Sequence, residues 1–201
     1  MEFNFEEEFI LEDECVLLRP LKKEDSINLQ YFSLNEPDLW EYSLVSAAGE
    51  EGLSQYIDIA LKARAEKKEY PFIVYDKRSG RYAGSTRFYD IIPAFDFLQL
   101  GYTWYGKDFQ GTGLNRHCKY LLFSFAFETL GVERLELRAD NDNKRSIAAM
   151  KSIGCKVDGV LRANMPKPKN EPGRRDSIVL SVLKEEWFGE VKALIEGKIQ
   201  K

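Results

Sequence analysis

The stretch from residue 70 to residue 128 constrains the fold more than any other part of the chain. Three apolar, aromatic-rich runs follow one another: YPFIVYD (70–76), RYAGSTRFYDII (81–92) and DFLQLGYTWYG (96–106). Lys77-Arg78-Ser79-Gly80 separates the first two with the composition of a hairpin turn, and Pro93 breaks the chain before the third. The third runs into Gln110-Gly111-Thr112-Gly113. Beyond it Leu114, Cys118, Leu121, Leu122, Phe125 and Ala126 recur at helical spacing. A set of antiparallel strands therefore feeds a bare turn at the start of a helix. The two glycines either make the turn and nothing more, or they leave backbone N–H groups open to an anion at the helix N-terminus.

Of two known phosphate-binding architectures, one fits poorly and the other is excluded. A dinucleotide fingerprint would need a third glycine where Arg116 stands, and its strands would be joined by helices rather than hairpins. A Walker loop would need Gly-Lys-Ser/Thr, which does not follow.

The flanking segments complete an α/β pattern. CVLLRPL (15–21) reads as a first strand and KKEDSINLQYFS (22–33) as a short helix ended by Asn35-Glu36-Pro37-Asp38. From Glu50 to Lys68, Leu53, Tyr56, Ile57, Ala60, Leu61 and Arg64 form a helical stripe. ERLELRA (133–139) alternates as a strand, and NKRSIAAMKSIG (143–154) reads as a helix closed by Gly154. CKVDGVLRANM (155–165) and RRDSIVLSVLKEEW (174–187) are expected to pair as a final hairpin across the Lys167–Gly173 loop.

At 201 residues the chain suits a single domain, 1–201, with its core over 14–187. Residues 1–13 are expected to be an N-terminal arm and 188–201 a C-terminal helical tail. The acidic start, Met1-Glu2-Phe3-Asn4-Phe5-Glu6-Glu7-Glu8, is unlike a secretory signal, and no apolar run is long enough for a membrane span. Three widely spaced cysteines, Cys15, Cys118 and Cys155, point to reduced thiols and a cytoplasmic protein. His117 is the lone histidine, so a hydrolase triad is hard to build and no metal site is expected. A net charge of −4 argues against nucleic-acid binding, with Lys167-Pro168-Lys169 and Arg174-Arg175 read as loop charges. It suits a cationic partner such as an amine.

Gln110-Gly111-Thr112-Gly113-Leu114-Asn115 resembles the Gln/Arg-x-x-Gly-x-Gly/Ala pyrophosphate loop of the GNAT N-acetyltransferases, with Asn115 standing where glycine or alanine is usual. Gly84-Ser85-Thr86-Arg87 and Leu100-Gly101-Tyr102 resemble that superfamily's third- and fourth-strand signatures. Asn143-Lys144-Arg145-Ser146 with Ile153-Gly154-Cys155 is similar to its Asn-x-x-Ser…Gly-Phe element, Cys155 replacing the aromatic. Asp158-Gly159-Val160-Leu161-Arg162 and Arg175-Asp176-Ser177 resemble the closing strands of the branch that contains the ribosomal-protein N-terminal (alanine/serine) acetyltransferases. The resemblance spans about residues 14 to 187, in order.

The resemblance implies a mixed, mostly antiparallel sheet of about seven strands with flanking helices, splayed between its fourth and fifth strands. It implies acetyl-CoA as co-substrate, without a metal, and an amine-bearing acceptor, a peptide N-terminus or a small molecule. The expected state is a monomer or homodimer, without a membrane or nucleic-acid partner. Pantetheine would add beside Tyr102, Thr103 and Trp104, and pyrophosphate would sit on the backbone of Gln110, Gly111, Thr112, Gly113, Leu114 and Asn115. A fourth-strand N–H would stabilise the oxyanion.

Asn143 and Ser146 would contact the pantetheine arm or the departing sulfur; alternatively Asn143 only caps its helix. Trp40, Tyr42, Arg87 and Tyr89 lie where the acceptor pocket would form. Met150 occupies the position of a tyrosine that protonates the thiolate, and Gln99 that of a frequent carboxylate base. Glu41, Asp90 and Asp96 are the remaining candidates for the base. A non-catalytic acyl-CoA-binding module on the same fold is the alternative function, and a nucleotide-phosphate binder a second.

Overall fold

A computed structural model of the chain describes residues 1–168 and 171–200. Its strands are β1 (Leu11–Glu12), β2 (Val16–Pro20), β3 (Tyr70–Asp76), β4 (Arg81–Ile92), β5 (Phe97–Tyr105), β6 (Arg134–Asp140), β7 (Lys156–Pro166) and β8 (Arg174–Leu183). The helices are α1 (Ser26–Asn35), α2 (Gly49–Ala65), α3 (Leu114–Ser124), α4 (Lys144–Ser152), α5 (Lys184–Glu186) and α6 (Lys192–Ile199). Among the described residues the strands form one eight-stranded sheet in the order β1-β2-β3-β4-β5-β6-β8-β7. Neighbours are antiparallel except β5 and β6, which run parallel.

The count is eight rather than seven because Leu11–Glu12 pairs with Leu17–Leu18. Two residues are too few to show alternation. The arm that carries this strand is docked. Phe3 and Phe5 are buried, the Phe9 N–H donates to the Tyr70 hydroxyl at 3.0 Å, and Arg64 donates to the Phe5 carbonyl at 3.1 Å. At the other end β8 stops at Leu183 instead of continuing to Trp187. Lys184-Glu185-Glu186 turns into helix, with the Glu186 carboxylate accepting the Leu183 N–H at 2.9 Å. Lys169, in the loop between β7 and β8, lies outside the described residues.

Alternation along the strands loads both faces of the sheet. On one face Trp104 of β5 meets Trp40, Phe32 of α1 and Tyr56 of α2, with ring centroids 4.9, 5.8 and 6.4 Å away. On the other, Phe72 of β3 and Phe88 of β4 pack together, and Phe88 stacks on Phe125 at the end of α3. There α3 passes into a π-turn, Phe125–Thr129. Trp187 stacks on Phe127 at 5.6 Å and donates to Glu128, which docks the C-terminal helices against α3. Among the described residues no helix is long and apolar enough to cross a membrane.

Candidate active site

The β5–β6 ladder covers only Phe97–Gln99 opposite Arg134–Glu136, yet β5 continues to Tyr105 and β6 to Asp140. The two strands therefore part in the middle of the sheet, at the splay expected between the fourth and fifth long strands. A bulge lies at the same level. Arg87 of β4 pairs with Gly101 and Ser85 with Trp104, so Tyr102 and Thr103 together face Thr86. Tyr102 has φ +49°, a left-handed conformation that costs a non-glycine residue about 1–2 kcal/mol. A bulge bends its strand, and beyond it the β6-facing backbone of β5 forms an open edge, suited to an extended, amide-bearing ligand. Gly84 is needed here: a Cβ would come within 2.0 Å of the Trp104 carbonyl oxygen.

The edge leads to the glycine loop. Gly113 caps α3 at φ +92°, and nothing lies within 4 Å of where its Cβ would be, so the loop's outer face is open. Among the described residues no acceptor takes the backbone N–H of Gly111, Thr112 or Gly113. The loop is held from behind, by the Thr112 hydroxyl donating to the Phe109 carbonyl at 2.8 Å and Gln110 Nε2 to the Tyr105 carbonyl at 2.8 Å. Arg78 donates to the Thr112 carbonyl, and Arg145, from the first turn of α4, donates to Gln110 Oε1. Free N–H groups, a helix N-terminus and two guanidinium groups are the chemistry that can hold an anion.

A sequence model of the acetyltransferase (GNAT) domain matches residues 16–156. The chain belongs to the GNAT acetyltransferase family. It is 25% identical over 183 residues to an uncharacterised N-acetyltransferase, p20, of Bacillus licheniformis, covering 88% of this chain and 97% of that protein. A crystal structure of a GCN5-related N-acetyltransferase from Brucella melitensis superposes with a TM-score of 0.87 at 25% identity, covering 96% of this chain and 86% of the other. The ribosomal-protein-S5-alanine acetyltransferase of Vibrio fischeri shares the fold, with a TM-score of 0.71 at 20% identity over 89% and 98% of the two chains.

In this GNAT acetyltransferase the residues expected around the acceptor fall into two groups. Arg87 is fully buried and its Nη1 donates to Glu69 at 2.6 Å. Its guanidinium lies 4.1 Å from the Tyr102 ring centroid and 4.8 Å from that of Tyr56, and Tyr89 packs edge-on against Tyr102 at 5.2 Å. Nε and Nη2 of Arg87 have no hydrogen-bond partner among the described residues. Arg87 and Tyr89 thus cluster at the bulge. Trp40 packs in the core against Trp104, and Tyr42 contributes its carbonyl, which accepts from Arg175 of β8 at 2.8 Å.

Asn143 caps α4: its Oδ1 accepts the Ser146 N–H at 3.0 Å. Ser146 is half-buried one turn before the buried Met150. The buried carboxylates near the slot are already engaged. Glu136, level with Gln99 across the ladder, accepts from Arg134 and Arg138 at 3.0 and 2.7 Å. Asp96 sits at the far end of β5, paired with the Met1 amine. Asp90 is exposed, close enough to act on the Tyr89 and Tyr102 phenols, and Glu41 is exposed beyond Trp40. Burial pushes the Tyr102 phenol up, as does the Glu69 charge.

Sequence reasoning missed three residues here: Tyr56, Glu69 and Lys119. The first two come from α2 and the α2–β3 connection, and only the closed fold brings them to Arg87. Lys119 interrupts the apolar face of α3, where a lone polar residue gave no signal.

Asp13, Cys15 and His117 also converge, within 4.8 Å, away from the slot. His117 Nδ1 lies 2.7 Å from Asp13 Oδ2, while Asp13 Oδ1 accepts the N–H groups of Cys15 and Val16 at 2.8 Å each. The contact ties the start of β2 to α3.

Proposed function

We propose that this chain transfers the acetyl group of acetyl-CoA directly to a primary amine, and that its acceptor is a weakly basic one, a protein or peptide α-amine or a small-molecule amine. The open β5 edge leading into a cradle of backbone N–H groups carries the first half of this reading. Pantetheine would lie along Tyr102, Thr103 and Trp104, and pyrophosphate on the loop from Gln110 to Asn115. Asn143 and Ser146 would border the arm of the coenzyme. Arg87, Tyr89 and the ends of Tyr42 and Trp40 would flank the acceptor.

The second half rests on the carboxylates. Glu69 and Glu136 are paired with arginine, Asp90 is exposed to solvent, and Gln99 is a neutral amide, so on this reading the acceptor sheds its own proton. A lysine side chain, with a reference pKa of about 10.4, is neutral in roughly one molecule in 2,500 at pH 7, whereas an α-amine near 7.8 is neutral in about one in seven. The likeness in fold to a ribosomal-protein-alanine acetyltransferase is in keeping with a protein α-amine.

The test is free-thiol release with acetyl-CoA and two matched peptides, one with only an α-amine and one with only a lysine amine, from pH 6 to 10. The α-amine peptide should react faster at pH 7. The apparent pKa of kcat/KM should follow the acceptor, near 8 for the α-amine and higher for lysine. A value fixed near 6 to 7 for both acceptors would refute the argument and turn attention to Asp90 and Glu41. Stabilisation by coenzyme A without thiol release from any amine would identify a binding module instead.

A further inference from the structure

Lys119 is 5% exposed on the inner face of α3. Its Nζ has one hydrogen-bond partner, Thr103 Oγ1 at 3.3 Å, and no carboxylate among the described residues pairs with it. An ammonium carries three protons, so two donors stay unanswered by protein groups among the described residues. Burying such a charge is costly, and an apolar residue would pack the same space at lower cost. The groups that face it come from both sides of the splay. Thr103, bonded in turn to Thr86 at 2.7 Å, belongs to β5; Cys155 follows α4 on the β6 side; Cys118 is its neighbour on α3, with the Tyr105 phenol beside that thiol. Burial pushes both thiols up to about 12, so neither is an anion at neutral pH. The ammonium therefore rests against Thr103 of β5, where β5 and β6 have parted, with no anionic partner among the described residues.

We propose that Lys119 donates the proton to the coenzyme A thiolate as it departs. This rests on the acetyl-transfer reading above. The acceptor nitrogen attacks the thioester carbon, the new C–N bond forms, and the C–S bond breaks with its electron pair going to sulfur. A Lys119 N–H proton passes to that sulfur, giving the free thiol and a neutral lysine, which takes a proton back from water. The acceptor's own surplus proton goes to solvent.

Chemistry and position agree. Thr103 lies on the stretch of β5 where the thioester end of pantetheine would rest, and Met150, the residue expected to serve as the acid, has no proton to give. Desolvation pushes the Lys119 ammonium down to about 8. A thiol has a reference value of about 8.5, so the two are matched for transfer in either direction.

The experiment compares wild type with Lys119→Met, which removes a buried charge without opening a large hole and should keep or raise the melting temperature. Two readings are taken: kcat against pH with acetyl-CoA and the α-amine peptide, and the pH titration of the thiol of enzyme-bound coenzyme A, followed by thiolate absorbance. The expected result is a fall in kcat of about 100-fold and loss of a descending limb near pH 8. The bound thiol should also titrate about one unit higher in the variant, for want of the neighbouring cation. An acetylating wild type matched by Lys119→Met in kcat, pH profile and thiol titration would overturn this inference alone. A wild type that does not bind coenzyme A would remove the acetyl-transfer reading, and this one with it.

Discussion

Replacing Gly113 by valine tests the anion cradle, because the structure separates its two effects. The first is strain: at φ +92° a β-branched residue is disfavoured, and the left-handed region costs L-residues about 1–2 kcal/mol. No clash adds to this, since the Cβ would meet no atom within 4 Å. For a chain of this length 1 kcal/mol shifts the melting temperature by about 2–4 °C, so the variant should melt a few degrees lower and remain folded. The second effect is steric: the isopropyl group would stand on the face where pyrophosphate must reach the N–H groups, and coenzyme A affinity should fall about 100-fold, roughly 2.7 kcal/mol. Gly131→Val is the control. It has φ +72° and equally open surroundings, but lies beyond the other end of α3, some 25 Å away by helix rise. Calorimetric titration with coenzyme A, beside thermal melts, gives both numbers. Equal destabilisation of the two variants with binding unchanged in Gly113→Val would refute the phosphate assignment.

Asn143→Ala should lower stability by about 1 kcal/mol through loss of the cap; if the amide also touches the coenzyme arm, kcat measured on the folded fraction will fall further than coenzyme A affinity. Asp25 is buried among Arg19, which reaches it at 2.6 and 2.8 Å, the Lys22 N–H and Asn28. Burial raises its pKa, but these partners hold it below the usual carboxylate range. The stability it contributes is present above the unfolded value near 4 and is lost as pH falls through the lower folded value. Asp25→Asn should therefore cost about 1.5–3 kcal/mol in urea melts at pH 7, and much less at pH 2. Lys119 is a cost rather than a contribution, though stability again rises with pH: held down to about 8 when folded, it keeps fewer protons than the unfolded chain between pH 8 and about 10.4. The stability gap between Lys119→Met and wild type should shrink as pH rises through that window.

Much of this molecule was readable where one residue's chemistry settles one local choice. Gly113 announces a helix start at positive φ, Lys77–Gly80 a hairpin, and apolar, β-favouring runs between turn residues mark β3 to β8 to within a few residues. The rest depends on closure. Tyr102 in a left-handed conformation has no sequence signal, because tyrosine disfavours it; the bulge is imposed by the pairing of β4 with β5. The role of Glu69 is invisible until α2 folds over Arg87. Asn143 was legible as a cap or a ligand-binding residue, and the cap is formed. The π-turns at Phe125–Thr129 and Trp187–Val191 insert a residue into helices whose apolar spacing looks regular. Lys119 stood in plain view among core positions, and only its lack of a counter-charge in three dimensions gives it meaning.

The short β5–β6 ladder makes the sheet two sheets joined at a seam. On one side β1 to β5 form a unit, on the other β6, β8 and β7, and three residue pairs stitch them. Such a seam is where partial opening of a native protein should begin, with the β6–β8–β7 unit swinging free while β1 to β5 stay folded. A ligand laid along it would act as a missing strand and bind the halves by mass action. Amide hydrogen exchange should register this at a distance. Coenzyme A at saturation would slow exchange not only in the loop it touches but in the ladder of Phe97–Gln99 with Arg134–Glu136, beyond its reach, because those hydrogen bonds open when the seam parts.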